Sequence, residues 1–242
     1  MCGRFSRTVP GDAVVAAFDW LEEPDGELRT DPEWVRPRYN IAPGQRVLAI
    51  GQREGRAPRL AFLRWGLIPP WARRRGSTSL LINARVETVH TRRTFRPLFE
   101  RRRCLVPADG WFEWPRLQGA ETKIEKKGQP PFWVHRPGRR LFTFAALWDR
   151  CRGRDDEPML AVSILTRAAV GPLAEVHPRM PLVVPEEMQQ RWLDPEGDPD
   201  EVREALSSAP PPSLELERVS ARVNDASCDD PRCLWPSAAS SA

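Results

Sequence analysis

LFTFAALW at Leu141–Trp148 and LAVSIL at Leu160–Leu165 decide the fold class of this 242-residue chain. Both runs are short, rich in aromatic or β-branched residues, and bounded by charged turns, as strands are and helices are not. Working outward, Cys104–Val106, Trp111–Trp114 and Phe132–His135 read the same way. Val47–Ile50 and Leu60–Trp65 are strands flanking a polar turn at Gln52–Arg56, and Leu182–Val184 is another. Leu214–Val219 (LELERV) alternates apolar and polar residues as a half-buried strand does. Helices are predicted at Gly11–Leu21, with Asp12 as its cap, at Val86–Arg102, broken near Pro97, at Glu186–Leu193 and at Glu201–Ser207. Glu22–Pro43, with four prolines, reads as loop. The 26 prolines and 15 glycines keep every element short. The expectation is one α+β domain over residues 1–235, mainly antiparallel β with a barrel-like core and short flanking helices, then a disordered tail at 236–242.

Composition excludes several classes. With 40% hydrophobic and 29% charged residues, the chain is neither disordered throughout nor collagen nor coiled coil. No apolar run approaches the roughly 18 residues of a membrane span, and MCGRFSRTVPGDAVVAAF lacks the apolar core of a signal peptide. The five cysteines are too scattered for a disulfide framework, so a reducing, cytoplasmic address is expected. Cys228 and Cys233 have no second ligand pair nearby, and no metal site or cofactor is expected. Charge is unevenly spread: between Arg53 and Arg103, 14 arginines meet only Glu54, Glu87 and Glu100, whereas Glu186–Asp230 carries 13 acidic residues against four arginines. That division suggests a basic surface facing an anion. A merely solvated surface is the alternative, since 34 of the 37 basic residues are arginine.

Cys2 is the residue with the most distinctive chemistry. Removal of Met1 would leave an α-amine and a thiol on adjacent carbons. An amine of reference pKa near 8 condenses with an aldehyde, and the neighbouring thiolate then closes a five-membered thiazolidine ring. The alternative is a start-proximal cysteine without a role. Gly3 lets the chain bend, and Arg4 suits a bidentate phosphate clamp. In LINARVE (81–87), Asn83 offers a neutral donor and acceptor, Arg85 a phosphate clamp, and Glu87 a partner for either; Asn83 as a strand end or helix cap is the competing reading. Glu113 lies among Trp111, Phe112 and Trp114, where desolvation would favour its neutral form and suit it to proton transfer; a surface Glu between buried rings fits the alternation equally. His177, with Pro178 and Arg179 after it, sits in a rigid segment able to fix an imidazole beside a phosphate clamp. His90 and His135 read as surface residues. In WGLIPPW (65–71), Trp65 reads as core and Trp71, directly before Arg73–Arg75, as a stacking platform for bases.

Taken together, MCGRF (1–5), RYNIAPGQ (38–45), WGLIPPW (65–71), INARVET (82–88), FRPLF (95–99), RCLVPADGWFEW (103–114), HPRMPLVV (177–184) and VSARVND…DDPRC (219–233) resemble the SOS response-associated peptidase (SRAP) family, in its order and over nearly the whole chain. The resemblance implies a β-rich α+β fold with a basic cleft for single-stranded DNA, acting as a monomer. It also implies a DNA-damage function in which Cys2, freed of Met1, forms a thiazolidine crosslink with the open-chain aldehyde of an abasic site. It assigns Asn83 to orient the cysteine and the sugar, Glu113 and His177 as the acid–base pair, Arg4, Arg85 and Arg179 to hold phosphates, and Trp71 to contact bases. Self-removal of Met1 and β-elimination at the abasic site are compatible activities. Departures are Pro178, where an acidic residue is common in the family, and a charged excursion at Gln118–Gln129, expected to be a hairpin. Two rivals remain: a peptidase or amidohydrolase using the N-terminal thiol, which needs an oxyanion hole, and a non-covalent single-strand binding module.

Overall fold

The computed structural model describes residues 2–24, 26–69, 80–115, 130–152, 157–210 and 212–237. Its strands are β1 (Phe5–Arg7), β2 (Arg38–Ile41), β3 (Arg46–Gly51), β4 (Arg59–Trp65), β5 (Asn83–Arg85), β6 (Arg103–Ala108), β7 (Gly110–Glu113), β8 (Phe132–His135), β9 (Phe142–Arg152), β10 (Pro158–Ala168), β11 (Arg179–Pro181), β12 (Val183–Val184) and β13 (Glu215–Arg218). The two runs that decide the fold class became β9 and β10, paired antiparallel from Ala146↔Ile164 to Arg152↔Pro158. β9 also pairs with β6, β6 with β3, and β3 with β4. The ring closes where β4 meets β10 in a parallel pairing, Arg64↔Ala161 and Trp65↔Val162. Five strands thus form a closed barrel with no free edge, and the class is α+β with mostly antiparallel pairing, as expected.

Alternation along these strands sorts the core into two faces. Val47, Ala49, Leu63, Trp65, Cys104, Val106, Phe144, Ala146, Val162 and Ile164 form one buried cluster. Their intervening neighbours Leu48, Ile50, Leu105, Ala145, Leu147 and Leu165 pack instead with Val14, Trp34, Phe99, Trp192 and Leu206, which come from the helices around the barrel. The first set is the barrel's filling and the second its outer wall.

A second sheet, ordered β13-β8-β7-β1-β2, lies over one mouth of the barrel. Its inward side chains Phe5, Ile41, Trp111 and Val134 join the filling. Phe5 meets Trp65 edge-on at 5.1 Å between ring centroids and Phe144 at 5.7 Å, while Trp111 contacts Phe142 and Phe144. On the far face Trp133 crosses β7 at Gly110, where a Cβ would stand 2.1 Å from the indole nitrogen; only glycine fits there. This sheet delivers both Cys2 and Glu113 to the barrel mouth.

Several local expectations need correction. The first helix ends at Ala16, and Asp12 makes no capping bond because Pro10 occupies the cap. Within the expected loop before Pro43, Gly26–Thr30 and Pro32–Val35 are helical turns, and Arg38–Ile41 is a strand. The helix expected over Val86–Arg102 is confined to Arg96–Arg101. Pro97 starts that helix rather than breaking it, because its missing N–H is spare in a first turn. Arg103 is not surface: it is 2% exposed and donates to the carbonyls of Phe99, Glu100 and Trp192. Pairing continues to Pro236, which bridges Val219, and to Ser237, whose N–H donates to the Arg218 carbonyl. The excursion expected at Gln118–Gln129 and the end of the tail lie outside the described residues, apart from Pro236 and Ser237. Among the described residues no helix is long and apolar enough to cross a membrane.

Candidate active site

The C-terminal end of β10 organises the site. On one side β5 runs parallel to it, pairing Asn83 with Ile164 and Arg85 with Thr166. On the other, β11 pairs Arg179 with Ala168. Just before β11, the turn Leu173–Val176 ends at His177, whose N–H donates to the Leu173 carbonyl. The N-terminal segment and the end of β7 then arrive from the covering sheet. Cys2, Asn83, Glu113 and His177 are 30 to 175 positions from one another in the sequence, yet they converge on one barrel mouth.

Cys2 is anchored through its backbone: the Asn83 Nδ2 donates to the Cys2 carbonyl at 2.7 Å. Its thiol points toward the Arg4 carbonyl at 3.9 Å. The side chain is fully buried rather than open to the basic cleft that the family resemblance implies. The reason is the entry of β1: Phe5 is driven into the barrel filling and draws Cys2 in behind it. Burial, with a further push from the Glu113 carboxylate, raises the Cys2 thiol well above the ordinary cysteine range. Glu113 is 2% exposed, so it is not a surface residue between buried rings. His177 Nδ1 lies 4.0 Å from Glu113 Oε2. The same nitrogen lies 2.9 Å from the Arg179 carbonyl and 3.1 Å from the Arg179 N–H. It donates to the first as N–H or accepts from the second as a lone pair, so either tautomer is accommodated.

The arginines divide by environment. Arg179 binds the Glu87 carboxylate in a fork, Nη1 to Oε1 at 2.6 Å and Nη2 to Oε2 at 2.9 Å, and reaches the Thr166 carbonyl at 2.6 Å. Burial alone would raise the Glu87 carboxyl, but the hydrogen bonds and charge of Arg179, together with backbone N–H donors, outweigh it and hold it below the usual carboxylate range. Glu87 therefore partners Arg179, across the strands, rather than Asn83 or Arg85. Arg4 spends Nη1 on the Asn40 side chain and the Val223 carbonyl, both at 2.7 Å, and burial lowers its pKa. Arg85 is exposed and makes no ion pair among the described residues. Trp65 is core, its Nε1 donating to the Ile82 carbonyl at 2.9 Å; Trp71 lies outside the described residues.

Sequence reasoning passed over Asn40, although RYNIAPGQ was in view. It is fully buried, and its amide donates to the carbonyls of Val223, Asp225 and Cys228. With Arg4 it ties the C-terminal segment across β1. Thr166 was missed too, because a threonine inside an apolar strand carries no sign of what will dock on it. His135 is a correction: expected at the surface, it is 1% exposed, stacked on Trp133 at 4.2 Å and covered by β13. A cavity of about 430 Å³ opens at the opposite end of the barrel, beside Gly51, Cys104 and Trp148, remote from these groups.

Comparison with known proteins adds an independent observation: the family model described as SOS response associated peptidase (SRAP) matches residues 1–226. The chain belongs to the SRAP family. Among SRAP relatives, it is 33% identical to the abasic site processing protein YoqW of Bacillus subtilis over 97% of this chain and 99% of that protein. It is 34% identical to the abasic site processing protein YedK of Escherichia coli over 86% of both. It is 30% identical to HMCES of Rattus norvegicus, covering 98% of this chain and 76% of the rat protein. Solved structures share this fold: a Bacteroides thetaiotaomicron protein superposes with a TM-score of 0.76 at 21% identity over 98% of this chain and all of that one. A phage-related protein of Bordetella bronchiseptica gives 0.66 at 30% identity over 90% and 94%.

Proposed function

We propose that this chain processes abasic sites in single-stranded DNA by forming a covalent thiazolidine crosslink through Cys2 after loss of Met1. The observation that carries this reading is the convergence at the barrel mouth: the Cys2 carbonyl held by Asn83 at 2.7 Å, its thiol within the field of Glu113, and Glu113 4.0 Å from His177. The abasic-site names of the relatives point to the same substrate.

The reaction balances without a cofactor. The α-amine nitrogen attacks the C1′ aldehyde of the opened sugar, and the carbinolamine loses one water to give an imine. The Cys2 sulfur then adds to the imine carbon and its proton passes to the nitrogen. His177 donates the proton that opens the sugar and assists dehydration, while Glu113 takes the proton from the amine. While Met1 is attached the Cys2 nitrogen is an amide and does not condense with an aldehyde, so release of Met1, by the chain itself, precedes the chemistry. Cleavage of that peptide bond is the peptidase activity of this reading, and β-elimination from the imine is its lyase activity. Arg85, with no ion-pair partner among the described residues, takes a phosphate. Arg4 and Arg179 act on the strand with the nitrogens their protein partners leave, and Trp71 stacks on a base. The protein works as a monomer, with one domain that runs through Ser237.

A gel separates this reading from its rivals. Mixed with single-stranded DNA bearing one abasic site, wild type gives a heat-stable shifted band and Cys2→Ala gives none. A band that survives in Cys2→Ala ends the thiazolidine reading. Salt-sensitive binding without any covalent product identifies a binding module instead, and cleavage of added peptides by a protein inert to abasic DNA identifies a peptidase.

A further inference from the structure

We propose that the edge of the covering sheet holds a second site, a structural clip for a divalent cation of the Zn²⁺ class, built from His135, Glu215 and Glu217. The three residues place their ligand atoms within 4.8 Å of one another. β13 pairs antiparallel with β8, setting Glu215 opposite His135 and Glu217 opposite Trp133. Two residues apart on one strand, the two carboxylates share a face, and His135, stacked on Trp133 at 4.2 Å, rises between them.

The imidazole supplies the independent observation. His135 is 1% exposed, and its Nε2 has no hydrogen-bond partner among the described residues. Its Nδ1 lies 2.9 Å from the Arg136 carbonyl. A carbonyl oxygen only accepts, so Nδ1 carries the hydrogen and Nε2 is the nitrogen left for a ligand. Nε2 faces Glu217 Oε1 at 3.3 Å, with Glu215 Oε2 3.8 Å from the other ring nitrogen. A buried ring nitrogen and a carboxylate oxygen facing each other need a positive charge between them, from a proton or a metal ion. A metal relieves the conflict. Ligand bonds of about 2.0–2.1 Å at a tetrahedral angle separate two donor atoms by about 3.3 Å.

The surroundings match a metal site's supporting contacts. A ligating histidine donates its other N–H to a carbonyl, as Nδ1 does here. Arg139 Nη2 lies 3.3 Å from Glu217 Oε2, which leaves Oε1 directed at the ring. Arg136, the other cation on this segment, is turned to Glu186. One imidazole and two carboxylates favour Zn²⁺ over softer or purely oxygen-seeking ions, and the two charges of the ion offset the two carboxylates. Both glutamates are half exposed, so their oxygens close on an ion by side-chain rotation, leaving the fourth position to water.

The clip would act at a distance from the abasic-site chemistry. Glu113 lies at the other end of the same strand pair, opposite Phe132, whereas His135 is opposite Gly110. Fastening β13 to β8 would secure the segment that follows it, where the Val223 carbonyl receives Arg4 and Asn40. The metal would thus stiffen the C-terminal tie across β1.

The test uses Zn²⁺ and Co²⁺ on the full chain, with Cys2→Ala as background in every arm to remove the N-terminal thiol as a rival ligand. The expected result is one Co²⁺ bound per chain, with the visible ligand-field bands of four-coordinate cobalt, and a rise in thermal midpoint on adding Zn²⁺. Both are lost in Glu215→Gln/Glu217→Gln, whose exposed substitutions leave the fold intact by circular dichroism. Nitrogen-15 spectra should show the His135 Nε2 resonance moving on Zn²⁺ addition. Absence of the cobalt bands, an equal Zn²⁺ shift in the double variant, or an imidazolium His135 unchanged by Zn²⁺ would overturn the proposal, the last identifying a simple ion pair with Glu217.

Discussion

Replacing Asn83 tests the best-defined contact in the site. Its amide donates a 2.7 Å hydrogen bond to the Cys2 carbonyl, and nothing else in the described site holds that carbonyl. A neutral hydrogen bond of this kind is worth about 0.5–1.5 kcal/mol. If it fixes the Cys2 backbone while the amine attacks, Asn83→Ala should slow crosslinking by about 2- to 13-fold, since roughly 1.4 kcal/mol is a factor of ten. Asn83→Asp should be slower still. It sets a carboxylate against the carbonyl it formerly bonded and adds a second negative charge near Glu113. The assay is single-turnover formation of the heat-stable adduct with abasic single-stranded DNA, together with a melting curve to show each variant is folded. Rates of both variants within twofold of wild type, or an aspartate variant faster than the alanine variant, would refute the reasoning.

Other outcomes follow from the same geometry. Glu113→Gln and His177→Gln should each slow adduct formation in the same assay without abolishing DNA binding by fluorescence anisotropy; unchanged rates would remove them from the proton transfers. Cys2 and Cys104 both have thiols pushed up by burial, so their contribution to stability is complete below the unfolded thiol pKa of about 8.5 and declines above it. Chemical denaturation at pH 7 and pH 10 should show lower stability at the higher pH, with a smaller loss in Cys104→Ala. Glu87 is shifted the other way, and the stability it gives is lost on acidification through its lowered pKa. A double-mutant cycle on Arg179 and Glu87 should give a coupling of about 1 kcal/mol in urea denaturation, at the upper end for a partly exposed pair because the fork is bidentate; additive effects would deny the pair any role in fixing β11.

Most strands were legible because alternation and turn chemistry are local. Phe132–His135 was placed to the residue, and Val47–Ile50 and Leu60–Trp65 to within one or two. What closes the barrel was not legible, since the parallel contact of Trp65 with Val162 joins segments 97 positions apart with no local signal. Arginine-rich 86–102 looked helical because its charges suit an exposed helix face, but Val86 and Val89 are buried, and tertiary packing puts turns there until the helix starts at Arg96. Glu113 was legible as a buried carboxylate from its aromatic neighbours. His135 was not, because the strand that buries it lies some 80 positions away. The burial of Cys2 was hidden for a similar reason: the sequence announces an aminothiol, while the depth at which it sits depends on Phe5 reaching Trp65 and Phe144.

Intact mass spectrometry of the adduct with abasic single-stranded DNA, followed by peptide mapping, addresses the proposed chemistry most directly. The expected mass is that of the chain without Met1 plus the oligonucleotide minus one water, with the modification mapped to the N-terminal cysteine. An adduct that retains Met1, or one attached through a lysine or an internal cysteine, would contradict it.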